Sequence, residues 1–254
     1  GVAFPDSNLS VSAITEKDKE HLEFGTKHNV DFVAVSFVRN AGDINTVRDL
    51  IPNDIKVIAK IELKAALDNI EEILDVADGV MVARGDLGVQ LPLEQVPFVQ
   101  KQILDAANKK GKISITATEM LQSMKSSYRP TRAEVTDITN AILEGSDAVM
   151  LSAETSIGDN PNRVVEVMSL ICSETDSKND TSSLLSKENT SEDSITTTLA
   201  RAAVQVANEI EAKAIVAFTE TGRTPLLISN FRPQAEIITF STKNKTLNQM
   251  NLLW

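Results

Sequence analysis

The chain has 254 residues, 42% of them hydrophobic, enough to build the core of one large domain or of two ordinary ones. Acidic residues outnumber basic ones, 36 to 25, and the formal net charge of −11 sets the surface against nucleic acid and anionic membrane, while leaving a small anionic ligand open to a local basic group. A single cysteine, Cys172, excludes an internal disulfide and points to a reducing, cytoplasmic setting, and the expectation is of no signal peptide and no bilayer-spanning run.

The chain opens at Gly1 in an apolar stretch and stops at Trp254 inside a helical pattern, so it reads as a fragment of a longer protein. Short β-branched runs recur at Asp31 to Phe37, Lys56 to Ile61, Gly79 to Val82, Lys112 to Thr116 and Asp147 to Leu151. They are continuously apolar, as suits strands buried on both faces of a parallel sheet. Amphipathic stretches alternate with them: Ala41 to Leu50, Ala65 to Val76, Leu93 to Lys110, Thr131 to Leu143 and Asn162 to Ser173. The class is α/β with right-handed crossovers. Polar side chains follow every strand: Arg39, then Lys60 and Glu62, then Arg84 and Asp86, then Thr118 and Glu119, then Glu154. An open doubly wound sheet gathers its ligand groups at one switch point, whereas a (β/α)8 TIM barrel collects them from many strand ends. The pattern favours a partial barrel, since five strands are too few to close one.

The composition changes at Ser173 to Ser194, a Ser-, Thr-, Asp- and Asn-rich stretch that reads as an exposed linker. A helix from about Ser194 to Ala212, a strand at Ala214 to Phe218, a turn at Thr219 to Thr224, a helix to about Phe231, a strand at Glu236 to Phe240 and a helix from Lys245 follow. The expected division is a catalytic barrel domain over 1–173, a polar linker over 174–193 and a smaller, incomplete three-layer α/β domain over 194–254.

Chemistry concentrates at the strand ends. Lys60 and Glu62, two apart on a strand, face one side. They are either an ion pair of the rim or a phosphate-directed cation beside a metal ligand. Gly85-Asp86-Leu87-Gly88 lets the backbone approach a ligand, and a helical turn there would draw an anion, although Asp86 can equally serve as a helix N-cap. Glu62 and Asp86 from neighbouring strands form a pair of hard oxygen donors suited to Mg²⁺ or Mn²⁺. Thr118 either caps the following helix, holds a substrate carboxylate or helps order a proton-donating water. His21 and His28 are isolated and read as structural or solvated.

Val57 to Glu62 (VIAKIE) resembles the active-site signature of pyruvate kinases, and further stretches resemble the same family in order: Ser36 to Arg39, Asp78 to Gly88 (DGVMVARGDLG), Thr116 to Leu121 (TATEML), Arg129 to Glu134 (RPTRAE), Asp137 to Ala141 and Met150 to Thr155 (MLSAET). The turn Thr219 to Thr224 and the pair Arg232-Pro233 are similar to that family's C-terminal domain. The resemblance implies transfer of a phosphoryl group from phosphoenolpyruvate to ADP, giving pyruvate and ATP in glycolysis. Under it Lys60 steadies the phosphoryl group in flight, Glu62 and Asp86 ligate the divalent metal, and Gly85, Asp86 and Thr118 hold the substrate carboxylate. It also implies a homotetramer, K⁺ bound by ligands outside this chain, and a sugar-phosphate or nucleotide effector at Thr219, Thr221, Gly222, Arg223 and Thr224, a turn that otherwise reads as a plain helix start.

The sequence departs from the family pattern at Phe4, Asp6, Leu63, Ala65 and Glu119. The resemblance assigns the phosphate-binding arginine, the K⁺ ligands and a lid domain to segments outside 1–254, so these residues alone are expected to be inactive. Two alternatives are a metal-dependent pyruvate or enolate aldolase or lyase barrel and a non-catalytic, effector-binding relative. Phosphate transfer coupled to ADP, as against aldehyde-dependent carbon–carbon cleavage, separates the first.

Overall fold

The computed structural model describes residues 14–179 and 195–254. Phe4, Asp6 and most of the expected linker lie outside these residues. The chain divides into two compact units, Gly1–Ser177 and Lys178–Trp254.

The first unit runs α1 (Glu16–Lys27), β1 (Phe32–Val35), α2 (Ala41–Arg48), β2 (Lys56–Ile61), α3 (Lys64–Asp68), α4 (Ile70–Val76), β3 (Gly79–Ala83), α5 (Arg84–Gln90), α6 (Val96–Lys109), β4 (Ile113–Ala117), α7 (Arg132–Leu143), β5 (Ala148–Met150), α8 (Ala153–Ser156) and α9 (Pro161–Lys178). Its five strands are parallel and lie in sequence order, β1-β2-β3-β4-β5. The order never reverses, so there is no switch point, and this is the arrangement of successive strands in a (β/α)8 barrel. Every residue of β3 and of β4 is buried, which explains their unbroken apolar runs. Val57, Ala59 and Ile61 of β2 pack with Ile44, Val47, Ile73, Leu74 and Leu104 into one core. Each fully buried Ile or Leu there contributes about 1.5–3 kcal/mol.

Aspartates at the strand starts set the register. Asp78, just before β3, accepts a hydrogen bond from Val57 N–H on β2 at 2.8 Å. Asp147, just before β5, accepts one from Ser114 N–H on β4 at 2.7 Å. Each carboxylate thus satisfies a backbone donor of the neighbouring strand and fixes which residues pair. Behind Asp78, the end of α4 is capped by basic groups: Arg48 donates to the Val76 carbonyl and Lys112 to that of Ala77.

Several boundaries differ from the sequence reading. The stretch Ala65 to Val76 is two helices that meet at Asn69, whose side chain donates to the Arg39 carbonyl. A 3-10 turn, Leu93–Gln95, precedes α6, where Pro97 favours a fresh helix start. β1 stops at Val35, and Phe37 then takes a left-handed conformation, φ 55°. The helix after β5 continues past Ser173 to Lys178.

The second unit contains α10 (Ile195–Glu209), β6 (Ala214–Phe218), α11 (Arg223–Ser229), β7 (Glu236–Phe240) and α12 (Asn244–Met250). β6 and β7 are parallel, and Ala217 packs with Ala200 and Val204 of α10 and Leu227 and Ile228 of α11.

Candidate active site

The tips of β1 to β5 carry the polar residues singled out from the sequence. Lys60 and Glu62 do share a face: Lys60 Nζ lies 2.6 Å from Glu62 Oε1. Only 1% of Glu62 is exposed, so its carboxylate is taken from water and must be matched inside the protein. Its second oxygen, Oε2, accepts from Phe37 N–H at 2.6 Å. Lys60 in turn donates to Ser36 Oγ at 2.9 Å. The tip of β1 therefore holds both members of the pair, the serine on the ammonium and the next amide on the carboxylate. The left-handed turn at Phe37 accompanies this aim of the amide.

β3 delivers Arg84, Gly85 and Asp86 at the first turn of α5. Asp86 is exposed and is no N-cap, since the cap position is Ala83 and carries no side-chain bond. Gly85 N–H instead donates to Thr118 Oγ1 at 2.8 Å. Thr118 is not a helix cap either: its hydroxyl donates to the Ala117 carbonyl, and the following 3-10 helix begins after Leu121 without a side-chain cap. Thr118 and Glu119 are both left-handed, φ 71° and 55°. Arg84 braces them by donating to the Thr118 carbonyl at 2.7 Å, and its other arm meets Asp137 of α7 at 2.7 Å.

The register carries β2 and β3 side by side, Ile61 opposite Val82. Glu62 and Asp86 thus follow adjacent strands on one edge. Among the described residues no group of three or more His, Cys, Asp or Glu is placed to hold a metal ion. Carboxylates such as Glu62 and Asp86 are the hard oxygen donors of which Mg²⁺ takes one or two beside water and substrate oxygens, and both oxygens of Glu62 are already engaged, by Lys60 and by Phe37 N–H.

Sequence reasoning overlooked Ser36 as the partner of Lys60, the bracing by Arg84, and the burial of Glu154. A serine and an arginine at strand ends are legible in the sequence, but their partners are set by the neighbouring strand. Arg132, on α7, lines a cleft of about 450 Å³ with Arg84, Gln100, Asp137 and Glu144. His28 ends α1 with its ring against Phe24.

In the second unit, Thr219 Oγ1 accepts from Gly222 N–H at 3.0 Å, and Gly222 is left-handed, φ 81°. Glu220 of this turn is engaged by Thr242 at 3.0 Å and Lys243 at 3.5 Å.

The family model for the pyruvate kinase barrel domain matches residues 1–165, and that for the pyruvate kinase alpha/beta domain matches residues 197–254. Pyruvate kinases of Staphylococcus aureus strains MRSA252 and USA300 are each 44% identical to this chain over all of it. The chain spans 44% of the length of these relatives. The crystal structure of a pyruvate kinase from Cryptosporidium parvum superposes with a TM-score of 0.95 at 38% identity, over 98% of this chain and 53% of that one. With both domain models matched in order along it, the chain belongs to the pyruvate kinase family.

Proposed function

We propose that these residues serve a pyruvate kinase, which moves the phosphoryl group of phosphoenolpyruvate to ADP and yields pyruvate and ATP. The observation that carries this reading is the buried Glu62 carboxylate held against Lys60 at a strand tip, next to the strand that leads into Gly85 and Asp86 of α5. Phosphoryl transfer depends on positioning and on charge neutralisation, and an ammonium group beside hard oxygen donors supplies both. Lys60 would steady the transferring phosphoryl group while Ser36 fixes its direction. Glu62 and Asp86 would hold Mg²⁺ or Mn²⁺. Such an ion, when bound, neutralises charge on phosphoryl and enolate oxygens. The amides of Gly85 and Asp86 would take the substrate carboxylate together with Thr118, the carboxylate replacing Thr118 Oγ1 as acceptor of Gly85 N–H and the Ala117 carbonyl as acceptor of the Thr118 hydroxyl.

The rest of the reading follows the family. It includes K⁺ bound outside this chain, glycolytic work in the cytoplasm and a homotetramer. The expected domains are 1–173, with the end of α9 carrying the first on to Lys178, and 194–254 after a linker, and an effector loop lies at Thr219, Thr221, Gly222, Arg223 and Thr224. Among the described residues no helix is long and apolar enough to cross a membrane.

Mn²⁺ titration followed by electron paramagnetic resonance tests the metal seat. Glu62→Gln and Asp86→Asn should each weaken binding by about ten-fold or more. Unchanged affinity in both variants would place the ion elsewhere. Residues 1–254 alone should form no pyruvate from phosphoenolpyruvate and ADP. Formation at an ordinary enzymatic rate refutes that part.

A further inference from the structure

Glu154 is a buried carboxylate with no part in the chemistry above. It is 1% exposed, and among the described residues no cation pairs with it. Its two oxygens accept one backbone donor each: Leu121 N–H to Oε1 at 3.2 Å and Ser152 N–H to Oε2 at 2.8 Å. A carboxyl group taken so far from water opposes folding unless its hydrogen bonds do something an apolar residue would not. Those bonds join the tip of β5 to the loop that leaves β4. The loop is clamped at two points. Arg84 holds it at the Thr118 carbonyl, and Glu154 holds it at the Leu121 amide. Between the clamps lie the two left-handed residues, Thr118 and Glu119, and the fully buried Met120.

Left-handed Thr and Glu relax toward ordinary backbone angles unless the surroundings over-determine them. A rotation there would swing Thr118 Oγ1 away from Gly85 N–H. We propose that Glu154 is a positioning residue: its carboxylate, carried by α8 just after β5, holds the Thr118–Glu119 turn in the conformation that presents the Thr118 hydroxyl to the Gly85 amide. The consequence for substrate rests on the carboxylate seat proposed above, but the positioning itself does not.

The test is the amide spectrum of the ¹⁵N-labelled, deuterated chain without ligand. In Glu154→Gln one of the two acceptors is replaced by a donor that faces a backbone N–H. The Gly85, Thr118 and Leu121 amides should shift, and Gly85 should exchange with solvent about ten-fold faster, the loss of one hydrogen bond. Amides of β2 and β3 should keep their positions. A purely structural Glu154 would lower the melting temperature and leave Gly85 where it is, which overturns the proposal. If Glu154→Gln does not fold, Glu154→Asp, which keeps the charge on a shorter arm, is read by the same amides. Adding phosphoenolpyruvate with Mn²⁺ to the wild-type chain tests the seat separately. A silent Gly85 there counts against the seat and leaves the Glu154 result standing.

Discussion

Asp78 offers the sharpest check on how this barrel is held together. Its carboxylate accepts Val57 N–H at 2.8 Å, takes Lys56 Nζ at 3.2 Å and pairs with Arg48. Burial pushes its pKa up, but the Val57 amide, Lys56 and Arg48 together hold it below the ordinary 3.8. In Asp78→Asn the amide bond can survive, while two partly buried cations lose their counter-charge. Arg48 keeps the Val76 carbonyl, and Lys56 is partly solvated, so the loss falls between an exposed and a buried pair, about 2–3 kcal/mol. For a unit of this size that lowers the melting temperature by about 5–10 °C. Scanning calorimetry suits the measurement, because two units can melt separately and a single-transition fit would blend them. The pH dependence has a definite sign. With a depressed folded pKa the unfolded chain binds the proton first, so the contribution is complete above 3.8 and is lost as pH falls through the lower folded value. The wild type and Asp78→Asn should therefore converge on acidification. A shift below about 1 °C at neutral pH, or a gap that does not narrow in acid, refutes the reasoning.

Three other variants probe separate links. A Cβ at Gly79 would meet the Ile113 carbonyl at 2.6 Å, Ile113 Cβ at 2.8 Å and Ile58 Cδ1 at 2.8 Å, so Gly79→Ala should cost about 2–3 kcal/mol in urea unfolding by forcing β3 from β4. Lys60→Met strands Glu62 in the interior and should destabilise by about 2–4 kcal/mol, and adding Glu62→Gln should recover part of it, read as a double-mutant cycle. Thr131→Ala removes the acceptor of Glu134 N–H at the start of α7 and should cost about 1 kcal/mol by chemical denaturation.

Much of the architecture is legible in the residues. Continuous runs such as Gly79 to Val82 read as fully buried strands, and β3 is buried throughout. Polar residues after strand upon strand favour a barrel, and the sheet runs in sequence order without reversal. The spacing of Lys60 and Glu62 foretells their shared face because a strand has a period of two. Local pattern fails where a partner lies on another strand. Asp86 and Thr118 look like caps, since Asp and Thr before a helix usually are, yet neither caps one here. Thr118 is drawn to Gly85 N–H across the β3–β4 seam, a contact set by a register that no window of sequence contains.

The deepest part of the site lies in backbone conformation. Phe37, Thr118 and Glu119 are left-handed, although none is Gly or Asn, the residues from which such a conformation is read. Each departure costs about 1 kcal/mol or more. The compensation is visible at each. Phe37 turns its amide onto the Glu62 carboxylate, and Thr118 has its carbonyl on Arg84 and its hydroxyl on Gly85. Glu119, bonded to neither, sits between the clamps at Thr118 and Leu121. The strained residues thus stand at the tips of β1 and β4, on either side of the strands that carry Lys60 and Gly85. Asn29 before β1, and Glu211 and Arg232 in the second unit, are left-handed as well, but β2, β3 and β4 themselves contain no such residue, so at the rim the strain sits in the turns and spares the strands between them. Relaxing any one of these turns should move a proposed ligand-facing group before it disturbs the barrel.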